Sequence, residues 1–272
     1  NKMKIIIYYL LFISFLLLFQ NKSEALTISP YSVSIETDAG NSGTSSVRII
    51  NDGSGNFEIK AYALDIGFDK SGKKIFRPVG GFDYSVAKFV KISPERFNLK
   101  DNEAKEVKIS VSMPHDSIGG KQAMVYFEAS PVLPGNIQKK SARISLAMRL
   151  GVLVLHETKG TVNVKSRIKN VNVLPISETE PLSLDLEVTN EGNTHILASG
   201  VAAIMKDDYT FIGKIDFNKS IVFPNRTKTL RGEWNGNLSP GQYHAIITYQ
   251  YGEDKNVVID KVFEIKPRFV RK

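Results

Sequence analysis

The chain has 272 residues, a formal net charge of +8, 42% hydrophobic residues and no cysteine. The lack of cysteine excludes a disulfide scaffold and a thiolate metal site, so stability must come from an apolar core and hydrogen bonds. Basic residues are scattered among acidic ones, apart from the final KPRFVRK, and this scatter argues against a nucleic-acid-binding protein.

The first predicted element is an export signal. A positive residue precedes an unbroken apolar run over 5–19, and the small residues Ser23 and Ala25 lie three and one positions before Leu26. This order is typical of a secretory signal peptide covering residues 1–25. A retained membrane anchor is the alternative, although the run is short for a spanning helix. No later apolar run is long enough to suggest a membrane span.

The next part of the chain repeats a strand pattern, with apolar residues at every second position and turn-forming segments between the runs. The alternating runs cover 27–36, 45–50, 57–64, 107–111 and 122–127. The segments between them, such as NDGSGN, FDKSGKK and SPERFNLKDNEAK, are rich in turn-forming residues. Short alternating strands separated by turns predict an antiparallel β-sandwich.

The last run of this part, SARISLAMRLGVLVLHE, is longer than the usual strand of about 5–6 residues. Its apolar residues at every second position are Ile144, Leu146, Met148, Leu150, Val152 and Val154. We call residues 142–150 the ribbon. We expect its first three apolar side chains to be partly exposed, and the other three in the series to be core. An exposed apolar edge either binds a partner or self-associates.

After Gly160 the alternation starts again. It recurs in TVNVKSRIK, LSLDLEVTNEGN, GVAAIMK, KTLRGEW, GQYHAIITYQY and NVVIDKVFEIK. No window places apolar residues at helical spacing over three turns. The sequence therefore predicts an all-β chain with two β-sandwich domains in tandem after a cleaved signal peptide. Their predicted bounds are 26–157 and 161–267, and a basic tail follows at 268–272.

The order of segments in the first domain resembles that of a known family. ISPYSVSIETDAGNSGTSSVRIINDG is followed by FDKSG, VKISPERFNLKDNEAKEVKISVSMP, GGKQAMVYFEA and the ribbon. Over 27–155 this order is similar to the immunoglobulin-like N-terminal domain of PapD-like periplasmic chaperones of pilus assembly. It is also similar to related two-domain envelope proteins of bacteria. The second domain, with VTNEGN and LSPGQYHAIITYQY, is immunoglobulin-like only in general.

The resemblance implies two immunoglobulin-like β-sandwiches in the periplasm or cell envelope of a bacterium. It also implies a protein client such as a pilin-like subunit. In that family, the last long strand of the first domain lends alternate apolar side chains to a client that lacks a strand. Main-chain hydrogen bonds supply affinity, and the side chains supply register. We therefore expect Ile144, Leu146 and Met148 to bind a partner by strand addition, or to mediate self-association.

The family also holds its client's terminal carboxylate with two basic residues, one on the first strand and one on the long strand. Here Ser32 or Ser34 stands at the first position, and alignment through GVLV places Gly151 at the second. Arg149, two residues earlier on the same face, is the candidate contact for a client carboxylate. Without such a clamp the protein would be a structural or adhesive envelope module that binds an extracellular or cell-wall partner. Both interpretations stay open at this point.

The sequence contains no motif for catalysis. The four histidines, at 115, 156, 195 and 244, lack metal-ligand spacing, and we expect them at the surface or in loops. No nucleophile elbow, phosphate-binding loop or dinucleotide-binding motif occurs. We therefore expect a non-enzymatic protein that uses no cofactor or metal and does not bind nucleic acid.

Overall fold

A computed structural model describes residues 26–53, 55–69, 73–132, 147–174 and 181–266. Within these ranges every regular element is a β-strand, apart from the 3-10 helix Ala87–Phe89. The all-β prediction is therefore confirmed. None of the helical structure described is long and apolar enough to cross a membrane. The predicted signal peptide, Ile144, Leu146 and the basic tail lie outside the described residues.

The strands described up to residue 158 form two sheets. They are β1 (Leu26–Ser29), β2 (Ser32–Thr37), β3 (Ser42–Asn51), β4 (Phe57–Phe68), β5 (Lys74–Arg77), β6 (Val90–Ser93), β7 (Arg96–Leu99), β8 (Ala104–Ser112), β9 (Gly120–Pro131) and β10 (Met148–Thr158). The first sheet has the order β1-β3-β8-β6. The second has the order β2-β10-β9-β4-β5, and β7 also pairs with β4.

Alternation buries one face of each sheet in a shared apolar core. Val47 and Ile109 from the first sheet, and Ile59, Val125 and Val152 from the second, are all at most 1% exposed. Side chains at successive strand positions point to opposite faces, so period-two spacing is what a sandwich core requires. Burying one such side chain contributes about 1.5–3 kcal/mol.

Two local predictions for this sandwich differ from the structure. The run 27–36 is not one strand, because the chain passes from the first sheet to the second at Pro30, which has no N–H to donate. The segment SPERFNLKDNEAK, predicted as a turn, contains β7, which pairs with β4 over Arg96 to Leu99. Propensity failed there because long-range pairing, rather than the local turn residues, determines the conformation.

The strands described after residue 165 form the second sandwich. They are β11 (Ser166–Leu174), β12 (Leu182–Asn190), β13 (Ile196–Lys206), β14 (Phe211–Val222), β15 (Thr227–Trp234), β16 (Gly241–Gln250) and β17 (Asn256–Ile265). One sheet has the order β11-β12-β15, and the other has the order β14-β13-β16-β17. Leu184, Leu186, Ile204, Ile247 and Tyr249 are fully buried between them. The sequence analysis did not identify β14, whose apolar residues are interrupted by polar ones.

The two cores have no residue in common among those described, which confirms two immunoglobulin-like β-sandwiches in tandem. Contacts at the junction tie them together. The Gly120 N–H donates to the Asn193 carbonyl at 2.8 Å, and the Gly119 N–H donates to Thr161 Oγ1 at 2.8 Å. The Thr194 hydroxyl donates to the Glu157 carboxylate. The predicted limits of the domains, at 157 and 161, stay a prediction.

Candidate partner-binding edge and cleft

The strand β10 is paired on both sides along only part of its length. β9 pairs with residues 148–157 of β10, whereas β2 pairs with residues 153–158, beginning at Ser32. The residues before Pro30 belong to the first sheet, so no described strand extends β2 alongside β10 beyond Ser32. Residues 148–152 therefore have an unpaired side opposite β9 within the described part of the chain. We call this segment the open edge.

The open edge presents main-chain hydrogen-bonding groups. The Leu153 N–H donates to the Tyr31 carbonyl at 3.0 Å, on the side where β2 lies. Since successive N–H groups along a strand point to opposite sides, those of Arg149 and Gly151 point to the same side as that of Leu153. A row of such groups is a template for an added strand.

The apolar side chains of β10 become less buried toward the open edge. Val152 and Val154 are fully buried, as predicted. Leu150 was predicted to be core but is only partly buried, because β2 does not extend alongside it. Met148, one of the predicted partner contacts, is also half-buried and packs against the first core. The predicted exposure of Ile144 and Leu146 falls outside the described residues and stays a prediction.

Arg149 lies on the outer face of the second sheet and already has protein partners. Its Nη2 donates to Glu128 Oε2 at 3.1 Å, and the guanidinium lies 5.3 Å from the centroid of the Tyr126 ring. The Tyr62 hydroxyl donates to the same carboxylate oxygen at 3.1 Å. The hydrogen bonds from Arg149 and Tyr62 hold the pKa of Glu128 below its usual value. The charge of Arg149 is thus compensated within the sheet, and its contact with a client carboxylate stays a prediction.

A cavity of about 880 Å³ lies between the two sandwiches. Its wall on the first sandwich includes Ile66 and Phe68 of β4 and Leu155 of β10. Gly151 and Ser32 also line it. Ser32 is one of the two candidates, with Ser34, for the first basic position that the resemblance implies, and Gly151 is the position it implies on the long strand. Neither Ser32 nor Gly151 carries a charge.

The cationic side chains of this cavity come from other elements. Lys74 of β5, Lys219 of β14, Arg226 from the turn before β15, and Lys228 of β15 all line it, and the described lining includes no acidic residue. Sequence reasoning missed these four residues, because each one looks like an ordinary exposed strand or turn position. Only the packing of one sandwich against the other brings them together.

The histidines are not all where the sequence analysis expected them. His156 is fully buried on β10, with Nε2 2.9 Å from Thr37 Oγ1 and no partner for Nδ1 among the described residues. His244 is also buried, on β16, with Nδ1 2.8 Å from an Asp260 carboxylate oxygen. The expectation of surface or loop positions is therefore wrong for both, since both lie within strands. No group of three or more His, Cys, Asp or Glu residues in the described ranges is placed to hold a metal ion.

No protein-family model and no curated protein matches the chain. Among solved structures, the class 5 fimbriae chaperone CfaA is 16% identical with a TM-score of 0.45, over 90% of this chain and 100% of that chain. The Pseudomonas aeruginosa CupB2 chaperone is 12% identical with a TM-score of 0.44, over 86% and 98%. A chain of the Salmonella enterica SafA pilin complex with the SafB chaperone is 13% identical with a TM-score of 0.42, over 90% and 98%. These values describe similarity and assign no residue role.

Proposed function

We propose that this protein is a non-enzymatic chaperone or assembly factor in the periplasm or cell envelope of a bacterium. It binds a pilin-like surface-fibre subunit by strand addition along residues 142–150. The observation that carries the proposal is the open edge of β10, where main-chain groups and half-buried apolar side chains occur together. The resemblance of residues 27–155 to PapD-like chaperones supports the same function.

Strand addition explains why main-chain hydrogen-bonding groups and half-buried apolar side chains lie together on the open edge. A client strand beside the open edge would bond to the main chain of Arg149 and Gly151, which supplies affinity without regard to client sequence. Met148, with Ile144 and Leu146 before it, would fill alternate pockets of the client and so set the register. Without a client, the same edge favours self-association.

The test is photo-crosslinking in the native host, with a crosslinking amino acid placed at Leu146 or Met148. We expect an adduct with a surface-fibre subunit, identified by mass spectrometry of the purified product. Lys108, exposed on β8 of the first sheet, is the matched control and should give no such adduct. The proposal is contradicted if neither ribbon position gives this adduct, or if Lys108 gives the same adduct.

The alternative, an adhesive or structural envelope module, is favoured by a different surface. On the outer side of the sheet β14-β13-β16-β17, Phe211 is 60% exposed, Val258 59% and Val262 44%. Phe211 pairs with Met205, Met205 is opposite His244, and His244 is opposite Val262. Phe211 and Val262 are therefore the two ends of one row across the sheet. Crosslinking from Val258 to a cell-wall or extracellular partner, with none from the ribbon, would support this alternative.

A further inference from the structure

The two sandwiches meet at a cluster of three side chains that includes a histidine. Glu157 lies near the end of β10 in the first sandwich, and its carboxylate accepts a hydrogen bond from the Thr194 hydroxyl of the second. Nδ1 of His195 lies 3.8 Å from the same carboxylate oxygen. The side chains of His195 and Glu157 are 15% and 22% exposed, and Thr194 is fully buried. A titratable imidazole is therefore enclosed where the two domains touch.

The two backbones approach each other closely at this cluster. A Cβ atom on Gly120 would clash with the Thr194 side chain, so a residue without a side chain is needed there. The Gly120 N–H donates to the Asn193 carbonyl at 2.8 Å across the junction. Separating the sandwiches breaks this hydrogen bond and exposes His195. The junction therefore has a closed form, in which His195 is enclosed, and an open form, in which His195 meets water.

The surroundings of His195 oppose a positive charge on its ring. Burial lowers the pKa of His195, and the charge of Glu157, which acts in the opposite direction, only partly offsets this effect. The position on β9 that follows Gly120, the partner of Glu157, is also cationic, Lys121. His195 lines the cavity between the sandwiches, whose cationic residues are Lys74, Lys219, Arg226 and Lys228. A proton on His195 is therefore less favourable in the closed form than in the open form.

We propose that the junction between the sandwiches is an acid-sensitive hinge that opens as His195 becomes protonated. Opening gives the imidazolium contact with water, whereas the closed form leaves it enclosed beside cations. The open form binds more protons, so it becomes more populated as the pH falls below about 6.5, the ordinary pKa of histidine. Gly151 of the open edge lines the same cavity, so acid also changes the surroundings of that edge. The hinge does not rest on the proposed function, because it needs no client.

The test is amide hydrogen exchange of the purified protein at pH 7 and pH 5, with the Gly120 N–H as the reporter of opening. Its protection, corrected for intrinsic exchange rates, measures opening even when the open form is rare. We expect this protection to fall by at least about threefold between the two pH values, and by about 25-fold at most for one histidine. Amides in the two cores, at Val125 and Leu186, report global unfolding and should lose less protection.

Three variants separate His195 from other titrating groups. His195→Gln cannot take up a proton, so the protection of Gly120 relative to the core amides should change by less than about twofold. His115→Gln, at an exposed position between β8 and β9, is the matched control and should keep the response of the parent. Glu157→Gln removes the charge that favours protonation of His195, so it should make the response to acid larger.

Three results overturn the proposal. The first is an equal response to acid in the parent and in His195→Gln. The second is a gain of protection at Gly120 in acid, because attraction between the imidazolium and Glu157 would then close the junction. The third is a loss at Gly120 no larger than the loss at Val125 and Leu186. If His195→Gln does not fold, a response in Glu157→Gln no larger than that of the parent also overturns it. The crosslinking experiment does not involve the junction, so the two proposals fail separately.

Discussion

Arg149 and Glu128 lie directly opposite each other on β10 and β9, and a 3.1 Å hydrogen bond joins their side chains. Arg149 belongs to the open edge, and both side chains lie on the face of the sheet that turns away from the core. The Tyr126 ring beneath the guanidinium adds a cation–π contact at 5.3 Å. The guanidinium of Arg149, on the open edge, is therefore engaged before any client arrives.

This pairing allows a test of Arg149 as a client contact. We expect Glu128→Gln to strengthen client binding and Arg149→Gln to weaken it, each by about three- to tenfold, because the first change frees the guanidinium and the second removes it. Both side chains are partly exposed, so the fold should tolerate either change. The measurement is the dissociation constant of each protein for the subunit that crosslinking identifies, at low and at high salt. Equal affinities in all three proteins would exclude Arg149 from the interface.

The ribbon should separate partner binding from stability. We expect Leu146→Asp to change the free energy of unfolding by no more than about 0.5 kcal/mol while abolishing partner binding. Val152→Asp should cost about 3–5 kcal/mol, because it places an unpaired charge in a fully buried position. Urea unfolding combined with a client or dimerisation assay measures both effects. Equal large losses of stability would mean that the ribbon serves only its own sandwich.

Amide hydrogen exchange should reveal the open edge directly. The N–H groups of Arg149 and Gly151 point away from β9 and should exchange rapidly in the free protein, whereas those of Leu150 and Val152 should exchange slowly. Adding the client should slow exchange at Arg149 and Gly151, because an added strand supplies acceptors. Mass spectrometry with fragmentation, or NMR, resolves these positions. Slow exchange at all four in the free protein would show that the edge is already covered.

His156 should make the first sandwich sensitive to acid. Its burial lowers its pKa to about 4, whereas the unfolded chain takes up a proton near pH 6.5. The unfolded state therefore binds more protons below pH 6.5, and stability is complete above that pH and falls as the pH drops toward 4. We expect a loss of about 1–3 kcal/mol over this window.

The measurement is the free energy of unfolding between pH 7 and pH 5 for the parent and for His156→Gln. The variant should show a weaker dependence on pH, whatever its stability at pH 7. The pKa of His195 is also lowered by burial, so His195→Gln serves as a comparison. An unchanged slope in His156→Gln would contradict the assignment.

Local pattern was enough to predict the class of fold and part of the core. Alternation with turn segments predicted all-β sandwiches, because side chains on a strand change face at every residue. The same rule predicted the burial of Val152 and Val154. It failed for Leu150, because alternation tells which face a side chain occupies but not whether a neighbouring strand covers it.

The candidate sites depend on contacts between residues far apart in the chain. The open edge exists because β2 begins at Ser32, opposite Leu153, and sequence alternation alone treated 27–36 as one strand. The compensation of Arg149 depends on Glu128, which becomes its neighbour only through the register of β9 and β10. Lys74 of the first sandwich and Lys228 of the second line one cavity because the two sandwiches pack against each other. Pairing register and domain packing are long-range properties, so tertiary structure alone determines which charges are free and which edge is open.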